Sequence, residues 1–299
     1  MKYDSTKLLR LCSEKLFKVD HTDPYNMKVD YLPWELLFLI KRIAIESGIV
    51  CKNGVPQEKD LIKIINAIKE MTNAPTEFLK LHGPNVAPKF LRTIAFQQFW
   101  AQKGLNSHDL GRTLWLLTDK KSKVSPLEPQ FVQQTKMSFS DYLQSMFALY
   151  TQFKTDQYLP CDSVRQLKTV FPEEHIDFLV DEMRCDLVEL KAFFKGPISK
   201  INSIGFQIHE PSILWKKPLF SFENHLMCYS TLLLETFFLE FPFKILKSAD
   251  EKVYFKAIGD SFELYISELM RWANVKFKNE LELKNELSDE SRKVADFVI

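Results

Sequence analysis

Two acidic residues that lie in largely apolar segments are the best candidates in this sequence for a functional site, because a carboxylate there could bind a cation. Asp296 stands inside the otherwise apolar run 294–299, and an ionised carboxylate is costly to bury unless a cation compensates it. Glu263 lies upstream, on a long amphipathic segment. Taken alone, Asp296 can also be a solvent-facing acid at the end of a sheet, and Glu263 an ordinary surface acid of a helix.

The sequence lacks the residue patterns that several other kinds of functional site require. The six histidines are far apart and show neither HxH nor HExxH spacing, which argues against a histidine metal site. The five cysteines are scattered, odd in number and without a CxxC pair, so we interpret them as reduced core residues. The eight glycines form no GxxxxGK[ST] or GxGxxG stretch, which argues against a nucleotide-dependent enzyme.

A helix and two strands are predicted to position the two carboxylates. Ser248 with Glu251 three residues later indicates a helix start, and an apolar stripe follows at helical spacing. Residues 275–283 alternate between apolar and polar side chains, which predicts a strand with one buried face. After the polar loop 284–292, residues 293–299 are expected to form a buried strand. The stripe comprises Val253, Phe255, Ile258, Phe262, Tyr265, Ile266, Leu269 and Trp272.

These segments carry a resemblance to a known family. The run 255–263, FKAIGDSFE, followed by a predicted β-hairpin and by 294–299, VADFVI, resembles the opening of the PD-(D/E)xK restriction-endonuclease-like fold. In that family a helix of the type GxxFE precedes a strand that ends in an Asp before apolar residues. The stretch 215–238 also resembles a segment found before such nuclease domains in large bacterial proteins, some of them linked to phage defence.

The resemblance implies a metal site. Asp296 would be a metal ligand, and Glu263 would complete the site or hold a coordinating water. Phosphodiester hydrolysis needs a hard divalent cation, and carboxylates are the ligands that Mg²⁺ prefers. Mg²⁺, or Mn²⁺, is therefore expected as the cofactor only if the nuclease core is complete.

Four lysines are the best candidates for contacts with DNA phosphates near such a site. Lys216 and Lys217 lie beside a proline turn, and Lys276 and Lys278 share one face of the predicted strand. An ordinary solvated strand face explains the second pair equally well. With a net charge of +1, the chain as a whole exerts no strong electrostatic attraction on nucleic acid. DNA binding would therefore need a local positive patch of this kind.

The chain departs from the family pattern at its end. The ExK element lies on the strand that follows the Asp strand, whereas the sequence stops at Ile299. It therefore lacks the second acidic ligand and the lysine, and we expect it not to be catalytically competent as given. Two explanations stay open: a fragment of a longer nuclease, or a natural chain that lost its catalytic half and kept a binding role.

Composition predicts a mainly α fold with a small β component, since only 8 Gly accompany 25 Phe and all-β folds need more turn residues. We expect a helical domain at 1–197 with a possible sub-boundary near 119–127. A short β-rich linking subdomain would follow at 198–247, and the partial α/β start of a restriction-endonuclease-like core at 248–299. Helices are predicted at 33–48, 59–70, 88–103, 108–118, 139–153, 163–171, 173–183 and 187–194, and short strands at 204–209, 212–215, 219–222 and 226–230.

Function and location follow as expectations. No apolar run approaches the roughly 20 residues of a membrane span, and the N-terminus has no apolar signal core, so the chain is expected to be cytoplasmic. The leading hypothesis is a subunit or fragment of a Mg²⁺-dependent DNA nuclease in bacterial anti-phage defence. Its helical region would sense a target or bind a protein partner or a second copy. The alternative is a non-catalytic helical interaction or DNA-binding module of a defence complex.

Overall fold

The computed structural model describes residues 3–19, 32–47, 54–72, 107–195, 213–279, 282–283, 285 and 297–298. The chain divides into two compact units. Unit 1 comprises Met1–Leu105 with Ser145–Phe238, and unit 2 comprises Asn106–Gln144 with Leu239–Ile299. The division predicted at residues 197 and 247 stays a prediction, and residue 197 lies outside the described residues.

Eleven α-helices occur in the described ranges, which confirms the mainly helical fold class. They are α1 (Ser5–Val19), α2 (Pro33–Glu46), α3 (Glu58–Thr72), α4 (Ser107–Thr118), α5 (Glu128–Thr135), α6 (Phe139–Thr155), α7 (Cys161–Leu167), α8 (Glu173–Met183), α9 (Leu187–Lys195), α10 (Thr231–Ala249) and α11 (Glu251–Trp272). The strands are β1 (Tyr158–Pro160), β2 (Arg184–Cys185), β3 (Leu219–Phe222), β4 (His225–Cys228), β5 (Lys278–Asn279) and β6 (Phe297–Val298). The predicted helix at 88–103 lies outside the described residues.

The core of unit 1 forms around α2. Pro33 occupies the first turn of this helix, where its missing N–H breaks no helical hydrogen bond. The Glu35 carboxylate accepts a hydrogen bond from the Leu32 N–H at 2.8 Å and so caps the helix start. Leu36 and Ile40 of α2 are fully buried against apolar side chains of α1, α3 and α9.

A four-stranded sheet with the order β1-β4-β3-β2 completes unit 1. Strand β4 pairs antiparallel with β1 and β3, and β2 pairs parallel with β3. The hairpin between β3 and β4 has a two-residue turn in which Glu223 adopts a left-handed backbone with φ of 50°. The predicted strands at 219–222 and 226–230 are therefore present, whereas 204–209 lies outside the described residues.

Unit 2 has its own aromatic core. Phe131 contacts Phe139 and Tyr142, with ring centroids 5.0 and 5.6 Å apart, and Tyr142 stacks on Phe241 at 5.7 Å. A capping box begins α6, because the Asp141 N–H donates to Ser138 Oγ at 3.0 Å and the Ser138 N–H donates to the Asp141 carboxylate at 3.3 Å. Residues 119–127 form turns and one 3₁₀ turn inside this unit.

Two predictions for the segment 198–247 are wrong. Residues 212–215 were expected to form a strand, but Ile213–Lys216 is a 3₁₀ helix. Residues 231–249, for the most part assigned to the β-rich subdomain, form the long helix α10. Its apolar side chains, including Phe237, Phe238 and Phe241, are buried. A short apolar run of this kind does not distinguish a buried strand from a buried helix by periodicity alone.

The predicted strand at 275–283 is much shorter in the structure. Of the described residues in this range, Lys278 and Asn279 form strand β5, and Glu282 and Leu283 are helical. The predicted alternation does hold at its start, where Val275 and Phe277 are half-buried and Lys276 and Lys278 are exposed. Within the described parts of the chain, no helix combines the length and apolarity that crossing a membrane requires.

Candidate functional site

Helix α11 carries the first candidate site residue. The side chain of Asp250 accepts a hydrogen bond from the Val253 N–H at 3.0 Å and caps the helix start. The predicted start signal at Ser248 is therefore displaced by two residues, and Ser248 belongs to α10. Asn274, with φ of 53°, ends the helix in a left-handed turn, where the Val275 N–H donates to the carbonyl of Met270 at 2.9 Å.

One face of α11 is fastened to the turn that follows α4. Ser261 is fully buried, and its hydroxyl accepts from the Lys123 N–H at 2.7 Å and lies 3.2 Å from the hydroxyl of Ser122. One turn further along the helix, the ring of Tyr265 lies 5.3 Å from that of Trp115. These contacts fix the rotation of α11 about its axis, and with it the direction of Glu263.

The Glu263 side chain is exposed. Its backbone carbonyl accepts a hydrogen bond from the Ser267 hydroxyl at 2.9 Å, as is common one turn along a helix. An exposed carboxylate is accessible to a cation, but one carboxylate does not make a magnesium site, since Mg²⁺ takes six oxygen ligands. Among the described residues, no group of three or more His, Cys, Asp or Glu side chains could hold a metal ion.

The hairpin after α11 is present as a short antiparallel pair. Lys278 pairs with Val298, and Asn279 pairs with Phe297. Asp296, which precedes Phe297 in the sequence, lies outside the described residues. The order of helix, strand and antiparallel strand therefore agrees with the order predicted from the sequence, whereas a metal site shared by Glu263 and Asp296 stays a prediction.

The four candidate phosphate-binding lysines belong to different compact units. Lys276 and Lys278 are both exposed beside the hairpin of unit 2. Lys217 of unit 1 donates from its ammonium group to the backbone carbonyl of Asp181 at 3.1 Å, and the Lys216 ammonium lies 5.5 Å from the ring centroid of Trp215. Both unit 1 lysines are half-buried, so Lys276 and Lys278 are the more accessible pair for a phosphate.

The structure also contains a buried polar pair that sequence reasoning missed. The Tyr150 hydroxyl donates to the buried carboxylate of Glu235 at 2.6 Å. Burial and this hydrogen bond raise the pKa of Tyr150 above its usual value. The two residues are 85 positions apart, and no local spacing relates them, so only the fold brings them together.

The described cysteines agree with the interpretation as reduced core residues. Cys12, Cys161, Cys185 and Cys228 are free thiols, and all but Cys161 are buried. Burial raises the pKa of the Cys185 thiol to about 12, which keeps it protonated and unreactive at neutral pH.

Comparison with known proteins adds no relative to this picture. No family model, no curated protein and no solved structure matches the chain.

Proposed function

We propose that the chain is a cytoplasmic protein that supplies the opening part of a metal-dependent DNA nuclease of the PD-(D/E)xK type, acting in bacterial anti-phage defence. One observation supports this most directly: α11, which carries Glu263, is followed by the antiparallel pairing of β5 with β6, in the order that the resemblance implies. Asp296 stands immediately before the paired residue Phe297.

In this proposal Asp296 and Glu263 hold the metal together. A bound Mg²⁺ or Mn²⁺ would polarise a phosphoryl oxygen and lower the pKa of an attacking water. The protein's own contribution would be to orient the two carboxylates from a helix and a strand, and to hold the DNA backbone at Lys276 and Lys278. The helical remainder of the chain would sense a target or bind a partner.

Metal binding tests the proposal directly. Titration of the full-length natural gene product with Mn²⁺ in a calorimeter should give binding that Asp296→Asn weakens at least about tenfold, or about 1.4 kcal/mol. Glu263→Gln should weaken it less. The matched control is Asp260→Asn, because Asp260 is another exposed acid on α11 and should leave the affinity unchanged. Equal metal affinity in the wild type and Asp296→Asn would contradict the proposal.

Cleavage tests the catalytic part. The full-length natural gene product should cut DNA in the presence of Mg²⁺ or Mn²⁺, and Asp296→Asn should abolish the cutting. Lys276→Ala with Lys278→Ala should weaken DNA binding and reduce its dependence on salt, since each phosphate contact releases counterions. A full-length product that binds metal but cuts neither strand would leave only a binding role.

A second candidate function is a non-catalytic interaction module. It is favoured by large apolar side chains that lie exposed on α11, among them Phe255, Phe262 and Trp272. Contiguous exposed apolar surface commonly marks a protein–protein contact. This function predicts association without metal or DNA, so it is separable from the nuclease by experiment.

A further inference from the structure

The outward face of α11 carries a row of large apolar side chains. Phe255 and Phe262 are 53% and 49% exposed, and Leu269 is also exposed. These residues are seven positions apart, so they lie along nearly one line on the helix. The row extends for about 21 Å at 1.5 Å per residue.

The side of the same helix that packs inside unit 2 carries small residues instead. Ala257 and Ser261 are buried, and the small side chain of Ser261 lets the helix lie close to the turn at 119–124. One exposed Phe is ordinary in a folded protein. A helix that buries its small residues and exposes a row of large ones has an apolar face available to another surface.

The two phenylalanines of the row lie nearly symmetrically about Gly259. This exposed glycine lies four residues after Phe255 and three before Phe262. A Cβ added there would meet no atom of the described residues within 4 Å. Glycine in a helix interior costs about 1 kcal/mol relative to alanine, and it allows another backbone to approach closely.

Along one flank of the row the charges change sign at the same point. Lys252 and Lys256 precede Gly259, and Glu263 follows it, all three exposed. At 3.6 residues per turn, the three lie on one flank of the row, within roughly 40° of each other around the helix axis. The flank is therefore positive before the glycine and negative after it.

We propose that this face of α11 binds the same face of a second copy of the chain, with the two helices antiparallel and a two-fold axis beside Gly259. Phe255 then packs against Phe262 of the second copy, and each of these contacts occurs twice by symmetry. Lys252 and Lys256 face Glu263 of the second copy. A parallel pair would instead place the two charged flanks on opposite sides of the contact, where this lysine–glutamate pairing is lost.

The size of the face sets the expected affinity. The exposed parts of two Phe rings and one Leu supply on the order of 200–300 Å² per copy, less than the ~800 Å² per partner of a standard stable interface. We therefore expect a reversible dimer that depends on protein concentration rather than a permanent one.

This inference deepens the second candidate function, on which it rests. The two proposals compete for Glu263, because a metal ion on that carboxylate would take the place of the lysines of the second copy. Self-association is measured without DNA or metal, so its failure leaves the nuclease proposal untouched. Binding of a different protein through the same face would support the interaction module and overturn the self-association.

Sedimentation equilibrium of the full chain is the first test. The wild type should form a dimer in the micromolar range, and Phe262→Glu should raise the dissociation constant at least about tenfold. Phe147→Glu is the matched control, because Phe147 is 51% exposed but lies on α6, and it should leave the dimer intact. A wild type that stays monomeric up to about 1 mM, or equal effects of the two variants, would overturn the proposal.

Charge reversal tests the antiparallel direction. Lys252→Glu with Lys256→Glu should weaken the dimer, and adding Glu263→Lys should restore it, because the flank is then complementary again with its signs exchanged. Circular dichroism spectra would establish that each variant is folded. A triple variant that associates no better than the double one would count against the arrangement.

Cross-linking provides a geometric test. Gly259→Cys should form a disulfide-linked dimer readily on mild oxidation, because the two copies of residue 259 are adjacent at the two-fold axis. Lys252→Cys should not, since its two copies would be about 20 Å apart at 1.5 Å rise per residue. Cross-linking of both variants would indicate parallel helices and refute the antiparallel pair, with the unmodified chain as the control for native cysteines.

Discussion

Helices α2 and α11 both carry large apolar side chains at helical spacing. Helix α2 buries these side chains, whereas α11 leaves many of them exposed and buries small residues instead. In α2, the large residues Leu36, Ile40 and Ile43 are buried. In α11, the large residues Phe255 and Phe262 are half-exposed, while small residues are inside. Periodic spacing therefore identifies an apolar face of a helix, but the rest of the fold decides whether that face is covered.

The difference has a physical cause in what packs against each helix. The stripe of α2 meets side chains from α1, α3 and α9, which surround it with apolar groups. Helix α11 is held by polar contacts instead, chiefly those of the buried Ser261 hydroxyl with the turn at 119–124. Close approach of that turn requires a small side chain, so the large residues of α11 lie on other sides of the helix.

Truncation of a large residue should show the difference between the two helices most clearly, as a difference in the loss of stability. Ile40→Ala in α2 should lower the free energy of unfolding by about 2–5 kcal/mol, because it removes buried methyl groups and leaves a cavity. Phe262→Ala in α11 should lower it by less than about 1 kcal/mol under conditions where the chain is monomeric. Urea denaturation of both variants measures the comparison. Equal losses would mean that the exposed row of α11 is covered within the monomer.

Enlargement of a small residue should show the reverse within α11. Ser261→Leu should destabilise unit 2 by about 1–3 kcal/mol, because a fully buried site is overpacked and the Lys123 N–H loses its acceptor. Asp260→Leu is the matched control at the neighbouring exposed position. It should change the stability little, as measured by thermal unfolding. A tolerated Ser261→Leu would show that α11 is not held closely on this side.

The sequence predicts where most helices lie better than it predicts what packs against them. Helices such as α2 and α8 begin and end within two residues of the predicted bounds, because Pro33 and Pro172 mark their starts. Helix α10 was missed because its apolar residues extend around much of the helix and show no single stripe. Its sequence Thr231–Ala249 even contains Pro242, which usually argues against a helix interior.

The candidate site was predictable only in part. That Glu263 lies on a helix followed by an antiparallel pair of strands could be read from spacing. Its exposure is one of two interpretations that the sequence leaves open, and spacing does not decide between them, because the rotation of α11 depends on Ser122 and Lys123, which are 138 or more positions from Ser261. The contact of Lys217 with the Asp181 carbonyl was equally invisible, since 36 residues separate the two.

The smallest expected effect concerns the charged end of α11. The Lys121 ammonium donates to the Glu268 carboxylate at 3.2 Å, and Arg271 donates to the same oxygen at 2.8 Å. The hydrogen bond from Lys121, with the positive charges of both residues, lowers the pKa of Glu268 below its usual value. A lowered pKa means that the folded state favours the ionised carboxylate. The contact therefore stabilises unit 2 above the pKa of the unfolded chain, and this contribution is lost as the pH falls through the folded pKa.

Lys121→Met should accordingly move the pKa of Glu268 back towards its ordinary value, which an NMR titration of the side-chain carboxyl would follow. Stability should change only slightly, because exposed ion pairs contribute little. Lys120→Met, one residue earlier in the same exposed turn, is the control and should leave that pKa where it is. If the two substitutions shift the titration equally, the pKa reflects the general positive charge of the turn at 119–124 and not the hydrogen bond from Lys121. The position of α11 against this turn would then not depend on the hydrogen bond from Lys121, and contacts such as those of Ser261 and of the Trp115–Tyr265 pair would hold it there.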